Sequence, residues 1–414
     1  MGALARSDEV IDEPALALAR CARAGYHEAM RTLPPMVLVI LLWFAGLGAA
    51  AQFGKISILY QDLLQVYAGS GAVALGLVVS IVGMVGLIFG TTAGLVVARI
   101  GPRRAIVAAL LAGAAMSALQ SLLPPYLVML ASRIVEGASH LAIVVVGPTM
   151  IATLAPKRRR ALAMTLWSSF FGVAYAALAL IGPFVSPFGL LLGHAGYMAA
   201  LAGVMALVLP PDPHQSFAAI GNLWQRHAAI YTSPWLAAPA MGFCCYTFLY
   251  VAILTLLPPQ TPLSHRALMA AGMPLVSILV SLTLGVWLLR HMTAVRLVML
   301  GYAAAMPGFV VLGLLWGQGA GMVLGGFMLA GALGIVQGAS FAALADLNPR
   351  PEDRASAAGA LAQLGNLGTT TGTPLLAALL AQAGPPGLVL AAVGLCGLGI
   401  ALHALQARRR GQFS

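Results

Sequence analysis

About twelve apolar segments, each roughly 20 residues long, constrain the fold of this chain more than any other feature. A helix rises 1.5 Å per residue, so about 20 residues cross the hydrocarbon core of a bilayer, whereas a membrane strand needs only about ten. The segments therefore predict an all-α membrane protein. The predicted spans are residues 35–58, 70–97, 105–123, 125–153, 162–185, 188–209, 234–257, 267–289, 296–316, 320–344, 356–384 and 386–406.

Composition argues against a soluble enzyme. Of 414 residues, 60% are hydrophobic and only 8% are charged, and the mean hydropathy is +0.94, which lies outside the range of soluble domains. The sequence contains no Walker loop, no dinucleotide-binding glycine pattern and no nucleophile elbow. The four cysteines do not suggest a disulfide framework. We expect no enzymatic activity and no cofactor.

The formal charge of +11 predicts topology rather than a nucleic-acid partner, because the basic residues lie in short loops between spans. If the spans alternate in direction, these loops share one side, which the positive-inside rule makes cytoplasmic. Its basic residues are Arg99, Arg103, Arg104, Lys157 to Arg160, Arg226, Arg290, Arg296, Arg350, Arg354 and Arg408 to Arg410. We expect a multi-pass protein of a bacterial inner membrane with both termini in the cytoplasm.

An internal repeat divides the chain into two halves. The segment Ile134-Val-Glu-Gly-Ala-Ser in the fourth span recurs as Ile335-Val-Gln-Gly-Ala-Ser in the tenth. The repeat predicts two parallel six-helix bundles related by a pseudo-two-fold axis. The predicted parts are a tail at 1–34, bundles at 35–209 and 232–406, a linker at 210–231 and a tail at 407–414.

This layout resembles the major facilitator superfamily, whose members bind a small substrate between two bundles that rock alternately. The loop GLVVARIGPRR, residues 94–104, resembles the superfamily's signature loop, with Ala98 in place of the usual aspartate. The resemblance implies a transporter whose partners are a small substrate and the lipid bilayer, and we expect a monomer. The matching residues, expected to act in conformational switching, are Gly94, Arg99, Gly101, Arg103 and Arg104.

The fourth span carries three ionisable residues at helical spacing, Arg133, Glu136 and His140, which share one face. Ionised groups at membrane depth are costly unless they are paired or face a cavity. The second half has Gly334, Gln337 and Phe341 at the equivalent positions. The trio predicts a role in proton coupling or substrate contact; the alternative is a structural ion pair that joins helices.

Two stripes of sulfur and imidazole residues suggest a soft metal. Thioether, thiol and imidazole groups favour Cu(I), although methionine stripes commonly serve packing. Their spacing of three to four residues predicts a shared face within each stripe. The stripes consist of Met241, Cys244 and Cys245 in the seventh span, and His265, Met269 and Met273 at the start of the eighth.

The segments MGFCCYTF, HRALM and AQLGNLGTTTGTPL resemble the CcoA-like branch of the superfamily. Its copper importers carry an MxxxM pair and an HxxxM pair. His265 and Met269 match the second pair and Met241 matches half of the first, whose other position is Ala237. The resemblance implies proton-linked copper import for assembly of cuproenzymes such as cytochrome oxidase, with copper as substrate. The alternatives are a riboflavin or other small-molecule transporter of this branch and, less favoured, a multidrug exporter.

Two further patterns predict a substrate path. Gln363, Asn366 and Thr370 share a face of the polar eleventh span and would line a cavity, although interhelical hydrogen bonding explains them equally well. Trp167 and Tyr175 belong to an aromatic strip in the fifth span that would stack on a planar substrate, although lipid or helix contacts are the commoner use.

Overall fold

A computed structural model of the chain describes residues 33–212 and 223–411, and the regular elements of these residues are all helical. Of the predicted tails and linker, residues 1–32, 213–222 and 412–414 lie outside the described residues. The α-helices are α1 Pro35–Ile58, α2 Tyr60–Val66, α3 Gly71–Ser80, α4 Gly83–Phe89, α5 Ala93–Ile100, α6 Pro102–Ser121, α7 Tyr126–Leu154, α8 Arg160–Ser168, α9 Phe170–Ile181, α10 Pro187–Val208, α11 Leu223–Thr232, α12 Ala238–Gln260, α13 Leu263–Val280, α14 Val286–Leu288, α15 Ala294–Leu314, α16 Ala320–Leu347 and α17 Pro351–Arg409.

These helices form twelve membrane spans in our interpretation. Nine described helices are long and apolar enough to cross a membrane, and the pair α3–α4, bent by 57°, is a tenth candidate. Helix α17 is broken at Gly384, where φ is 63°, and its 59 residues would measure about 90 Å if straight, so we count two spans. The pair α8–α9 supplies the remaining span. The spans are 1 (α1), 2 (α3–α5), 3 (α6), 4 (α7), 5 (α8–α9), 6 (α10), 7 (α12), 8 (α13–α14), 9 (α15), 10 (α16), 11 (351–383) and 12 (385–409).

The packing of spans in the first half recurs in the second. Span 1 packs on spans 4, 5 and 6, and span 3 packs on spans 4 and 6. In the same way span 7 packs on spans 10, 11 and 12, and span 9 packs on spans 10 and 12. The predicted all-α membrane fold with two related bundles is confirmed.

The halves meet along two pairs of spans, 2 with 11 and 5 with 8, which the internal repeat relates to each other. Glycines in span 2 allow the first contact: a Cβ on Gly86 would lie 2.2 Å from Nδ2 of Asn366. The hydroxyl of Ser80 in span 2 donates to the carbonyl of Thr370 in span 11 at 2.8 Å. The span 2–span 11 contact is therefore close over several turns.

Residues at opposite ends of the spans define two faces. Arg103 donates to the Ala206 carbonyl in the first half, and Arg409 in the second half donates to the carbonyl of Thr232 in α11 at 3.0 Å. Helix α11 also reaches Thr91, which precedes α5 and the loop before Arg103, so these residues share one end, which we call the basic end. At the other end Thr255 in span 7 lies 2.9 Å from the hydroxyl of Ser57 in span 1. The two halves are therefore joined at the end opposite the basic one.

Several predicted boundaries were wrong. Span 2 is interrupted near residues 81–82 and 90–92, and span 5 breaks at Ser169. Span 7 begins at Ala238 rather than at 234, and span 8 begins at Leu263 rather than at 267, so His265 lies inside its helix. In spans 2, 5 and 7, Gly, Ser and Pro residues near these positions interrupt or delay the helix without shortening the apolar run. Span 8 instead starts directly after Pro262, before its apolar run begins, so hydropathy placed its start too late.

Candidate functional site

A cavity of about 160 Å³ separates the two halves between spans 5, 8 and 10. Ser168 and Ser169 line it from the first half, and Ser281, Gln337 and Phe341 line it from the second. The remaining lining groups are apolar side chains and glycine, and none of the described lining residues is charged. The cavity can therefore donate and accept hydrogen bonds and can contact an apolar ring, but it offers no counter-ion.

Two of the three spans beside the cavity, 5 and 8, are irregular at the residues that line it. Span 5 breaks at Ser169, whose hydroxyl donates to the carbonyl of Leu166 at 2.7 Å and lies 3.3 Å from Nε1 of Trp43. Span 8 contains a π-helical turn at Ser281–Gly285. Such turns are rare and occur frequently at functional sites. Coincident irregularities on facing helices of opposite halves mark this cavity as the candidate substrate site.

Gln337 enters the cavity at the position that Glu136 occupies in the first half. The close approach of Ser281 depends on Gly338, because a Cβ there would lie 2.4 Å from Oγ of Ser281. Phe341, 44% exposed, makes an edge contact with Phe243 of span 7, with ring centroids 5.6 Å apart. The second half thus supplies an amide, a hydroxyl and an aromatic ring.

A second feature is a buried ion cluster inside the first half. The ammonium group of Lys55 in span 1 lies 2.6 Å from Oε1 of Glu136 in span 4. It also donates to the hydroxyl of Ser117 in span 3 at 2.8 Å and lies 3.3 Å from Nδ1 of His194 in span 6. Both Lys55 and Glu136 are fully buried, so four spans meet at one lysine.

Hydrogen bonding fixes the state of His194. Its Nε2 lies 3.0 Å from the carbonyl oxygen of Gly48, which can only accept, so Nε2 carries the proton. The Ser117 hydroxyl donates to the Leu191 carbonyl at 2.8 Å and therefore accepts from Lys55. With Nδ1 of His194 as a further acceptor, all three ammonium protons of Lys55 have partners.

The second oxygen of Glu136 is held as tightly as the first. It accepts hydrogen bonds from the guanidinium of Arg133 and from Nε2 of Gln120, the latter at 2.9 Å. Arg133 also donates to the carbonyls of Val78 and Val79 in span 2, at 2.9 and 3.2 Å. The cluster thus joins span 2 to spans 1, 3, 4 and 6.

The charge of this cluster is unbalanced, since Lys55 and Arg133 share the single carboxylate of Glu136. His140, predicted to act with them, lies one turn further along span 4, where Nδ1 is 3.0 Å from the carbonyl of Ala49. The contacts of the predicted trio are directed into the first half rather than toward the cavity. This arrangement favours the alternative of a structural ion pair that joins helices.

The predicted metal ligands point in different directions. Sδ of Met241 lies 2.8 Å from Nε2 of Gln406 in span 12. Met269 and Met273 are fully buried against span 10, where a Cβ on Gly326 would lie 2.7 and 3.6 Å from their sulfurs. In the described part of the chain no three His, Cys, Asp or Glu side chains are grouped as a metal site.

The remaining predicted ligands are also apart. His265 is half-buried at the end opposite the basic one, with Nδ1 2.9 Å from the Ser264 hydroxyl, and it contacts Gly319. Cys245 is buried and Cys244 half-buried, and both are free thiols. Only Met269 and Met273, of the predicted set, converge on one point.

The polar face of span 11 packs between the halves. Asn366 contacts Gly83 and Gly86, and Thr370 also contacts Gly83. Gln363 donates to the carbonyl of Leu87 at 2.8 Å. These three side chains lie in the span 2–span 11 contact rather than around the cavity of spans 5, 8 and 10, so their contacts fit the interhelical alternative.

The aromatic strip of span 5 is buried as well. Trp167 contacts Gly46 and Gly147 in spans 1 and 4. The Tyr175 hydroxyl lies 3.2 Å from that of Ser57, which the Thr255 hydroxyl of span 7 also approaches. Tyr175 is thus part of a hydroxyl cluster that closes the end opposite the basic one, while Trp167 packs within the first half.

The signature loop has a capping arrangement that the sequence did not suggest. Gly101, with φ of 94°, precedes span 3 and has no side chain to cap it. Asp212, at the start of the linker, instead accepts the backbone N–H groups of Arg103 and Arg104 at 2.7 and 3.2 Å. In the same loop Arg99 is exposed and Gly94 has open space around it.

We expect Asp212→Ala to destabilise the protein by about 1 kcal/mol, since the N-terminus of span 3 would lose its cap. Asp212→Asn should cost less, because its amide oxygen can still accept from the N–H of Arg103, although its NH2 group cannot accept from that of Arg104. Thermal unfolding of both variants in detergent tests this. Equal loss of stability in the two variants would show that the carboxylate acts through charge and not as a cap.

Sequence reasoning missed three groups of this site for different reasons. Lys55 lies inside the first apolar run and could have been found, since an intramembrane lysine is itself a functional signal. His194 has no partner at helical spacing, and Asp212 acts over more than 100 positions of sequence. Only folding brings the latter two to their partners.

Comparison with known proteins gives the family. The sequence profile of the Major Facilitator Superfamily matches residues 38–334. The search of curated proteins found no significant match.

Solved structures show the same fold at low sequence identity. The human organic anion transporter MFSD10 (TETRAN) is 17% identical, with a TM-score of 0.70 over 90% of this chain and 100% of its own. A bacterial homolog of the human lysosomal transporter Spinster, inward-facing and occupied, is 14% identical, with a TM-score of 0.72 over 91% and 97%. The fucose:proton symporter of E. coli is also 14% identical, with a TM-score of 0.64 over 90% and 99%. With the profile covering well over half of its length, the chain belongs to the Major Facilitator Superfamily.

Proposed function

We propose that this protein carries a small, uncharged, hydrogen-bonding organic solute across the membrane by alternating access, and that the cavity between spans 5, 8 and 10 binds it. The supporting observation is the lining of that cavity: three serine hydroxyls, the Gln337 amide and the Phe341 ring, with no charged residue among them. Burying an ion without a counter-charge is costly, so such a cavity selects against charged solutes. A neutral solute can satisfy the hydroxyl and amide groups by exchanging hydrogen bonds with them.

Copper import stays a prediction from sequence. Its best structural support is the convergence of the Met269 and Met273 sulfurs on Gly326, since two thioethers suit Cu(I). Met241, however, faces span 12, and His265 lies about two turns away from Met273 along span 8. We therefore rank a neutral solute above copper, in agreement with the small-molecule alternative raised by the sequence.

Proton coupling through Glu136 also stays a prediction. Both of its oxygens are occupied by Lys55, Arg133 and Gln120 inside the first half. Protonation of Glu136 would leave two buried cations without an anion, which opposes it. Following the positive-inside rule, we place the basic end in the cytoplasm of a bacterial cell and the cavity on the cytoplasmic side of the membrane.

Ligand-induced stabilisation of the purified protein tests the proposed solute class. A ligand present at 100 times its Kd stabilises the folded state by about 2.7 kcal/mol, a readily measured shift in thermal unfolding. The panel contains neutral sugars, nucleosides and riboflavin, organic anions, and Cu(I). We expect a neutral compound to stabilise the wild type and Gln337→Leu to abolish that effect.

The matched control is Gln318→Leu, which removes an exposed amide far from the cavity and should respond as the wild type does. A stabilising compound should then be taken up by proteoliposomes containing the wild type but not by those containing Gln337→Leu. Stabilisation by Cu(I) that is lost in His265→Ala and kept in Gln337→Leu would overturn the proposal in favour of copper. Stabilisation by organic anions alone would also contradict it.

A further inference from the structure

The helix between the two halves, α11, lies across the span 2–span 11 contact at the basic end. Its buried and half-buried residues His227, Ile230 and Tyr231 are spaced by three and four positions and so form one face. Nε2 of His227 is 3.0 Å from the Thr91 hydroxyl in span 2 and 3.3 Å from Nε2 of Gln363 in span 11. A single imidazole nitrogen therefore contacts both halves.

Hydrogen bonding determines which groups donate in this cluster. The Gln363 amide nitrogen lies 2.8 Å from the carbonyl of Leu87, which can only accept, so the orientation of the amide is fixed. Since that nitrogen also faces Nε2 of His227, the imidazole nitrogen must accept, and the Thr91 hydroxyl must donate to it. The amide oxygen is left to accept from the Tyr231 hydroxyl at 2.7 Å.

Helix α11 is anchored to the second half at its C-terminal end. Arg409 in span 12 donates to the carbonyl of Thr232, where a cation also complements the helix dipole. Burial raises the pKa of Tyr231 to about 12, so its hydroxyl stays protonated and keeps its bond to Gln363. Toward the first half, His227 of the helix contacts the Thr91 hydroxyl.

Thr91 is at an interruption of span 2, between α4 and α5. The adjacent Gly90 lies against the backbone of Gln363, where a Cβ would be 3.1 Å away. Alternating access requires contacts between the halves at one end to break while those at the other end form. Spans 2 and 11 cannot separate at the basic end while Gln363 binds Leu87 and His227 binds Thr91.

We propose that α11 is a strap: it is attached to the second half and binds span 2 through the contact of His227 with Thr91. This contact must break before the basic end opens between spans 2 and 11. This inference rests on alternating access and not on the identity of the solute. Its test is therefore independent of whether the cavity binds a neutral compound or an ion.

Hydrogen–deuterium exchange of the full-length protein in detergent tests the strap. Thr91→Val and His227→Phe each remove one side of the bond without adding charge. Loss of one hydrogen bond should speed exchange about fivefold in peptides covering residues 83–100 and 351–366. The double variant should exchange no faster than His227→Phe alone, since that variant already removes the bond to Thr91 together with the contact to Gln363.

Thr92→Val is the matched control, because the Thr92 hydroxyl bonds only within its own turn, to the Phe89 carbonyl at 3.1 Å. It should exchange as the wild type does, and residues 102–121 should stay protected in all variants. The proposal is overturned if Thr91→Val and His227→Phe leave the two peptides unchanged. It is equally overturned if Thr92→Val has the same effect, or if residues 102–121 lose protection to the same extent.

Discussion

Glu136→Gln is expected to destabilise the protein by about 3–5 kcal/mol, since it removes the only anion between two fully buried cations. Lys55→Met should cost less, about 1–3 kcal/mol. It leaves Glu136 paired with Arg133 and deprives Oε1 of Glu136, Ser117 and His194 of one hydrogen-bond donor each. Lys55→Met should therefore be the more stable of the two variants, because the cluster contains two cations and one anion.

The double variant Lys55→Met/Glu136→Gln provides the decisive comparison. It leaves one unpaired cation instead of two, so it should be more stable than Glu136→Gln alone by about 1 kcal/mol or more. Thermal unfolding in detergent measures all three, and Arg296→Met, which removes an exposed charge, serves as a control with little expected effect. If Glu136→Gln unfolds like the wild type but loses pH-dependent uptake, Glu136 acts in proton coupling and the cluster is not a structural lock.

The fold could be predicted from the sequence because the thickness of the bilayer sets the length of every span. The run Pro35–Ile58 was predicted with its observed bounds, since Pro34 and Pro35 start the helix where the apolar residues start. Hydropathy could not locate the interruption at Ser169 or the π-helical turn at Ser281–Gly285. Both leave the apolar run unbroken and change only the backbone hydrogen bonds, on which hydropathy carries no information.

The candidate site was less predictable, because spacing gives the face of a helix but not what that face meets. Met241 and Met269 were predicted to lie on two stripes of sulfur and imidazole residues, yet Met241 contacts span 12 and Met269 contacts span 10. Gln337 drew attention only as the uncharged counterpart of Glu136, although it is the residue that enters the cavity. Which repeat position lines the cavity depends on how the two bundles face each other.

The glycines of span 11 are where a change of packing should have a large effect on folding. Gly365, Gly368 and Gly372 all lie directly against span 7. A Cβ on Gly372 would lie 2.0 Å from the carbonyl oxygen of Phe248 and 2.8 Å from its carbonyl carbon. Both are backbone atoms of a helix, so no rotamer change can relieve the clash.

Gly372→Val should therefore force spans 7 and 11 apart and cost at least about 3 kcal/mol, above the usual cost of overpacking, where side chains can adjust. Gly203→Val is the matched control: Gly203 is an exposed glycine of span 6 with no atom within 4 Å of its would-be Cβ. That variant should be neutral or slightly stabilising, because valine exceeds glycine in helix propensity. Size-exclusion chromatography after heating measures the fraction of each variant that stays folded. Equal fractions for the two variants would show that span 7 can move away from Gly372 without loss of packing.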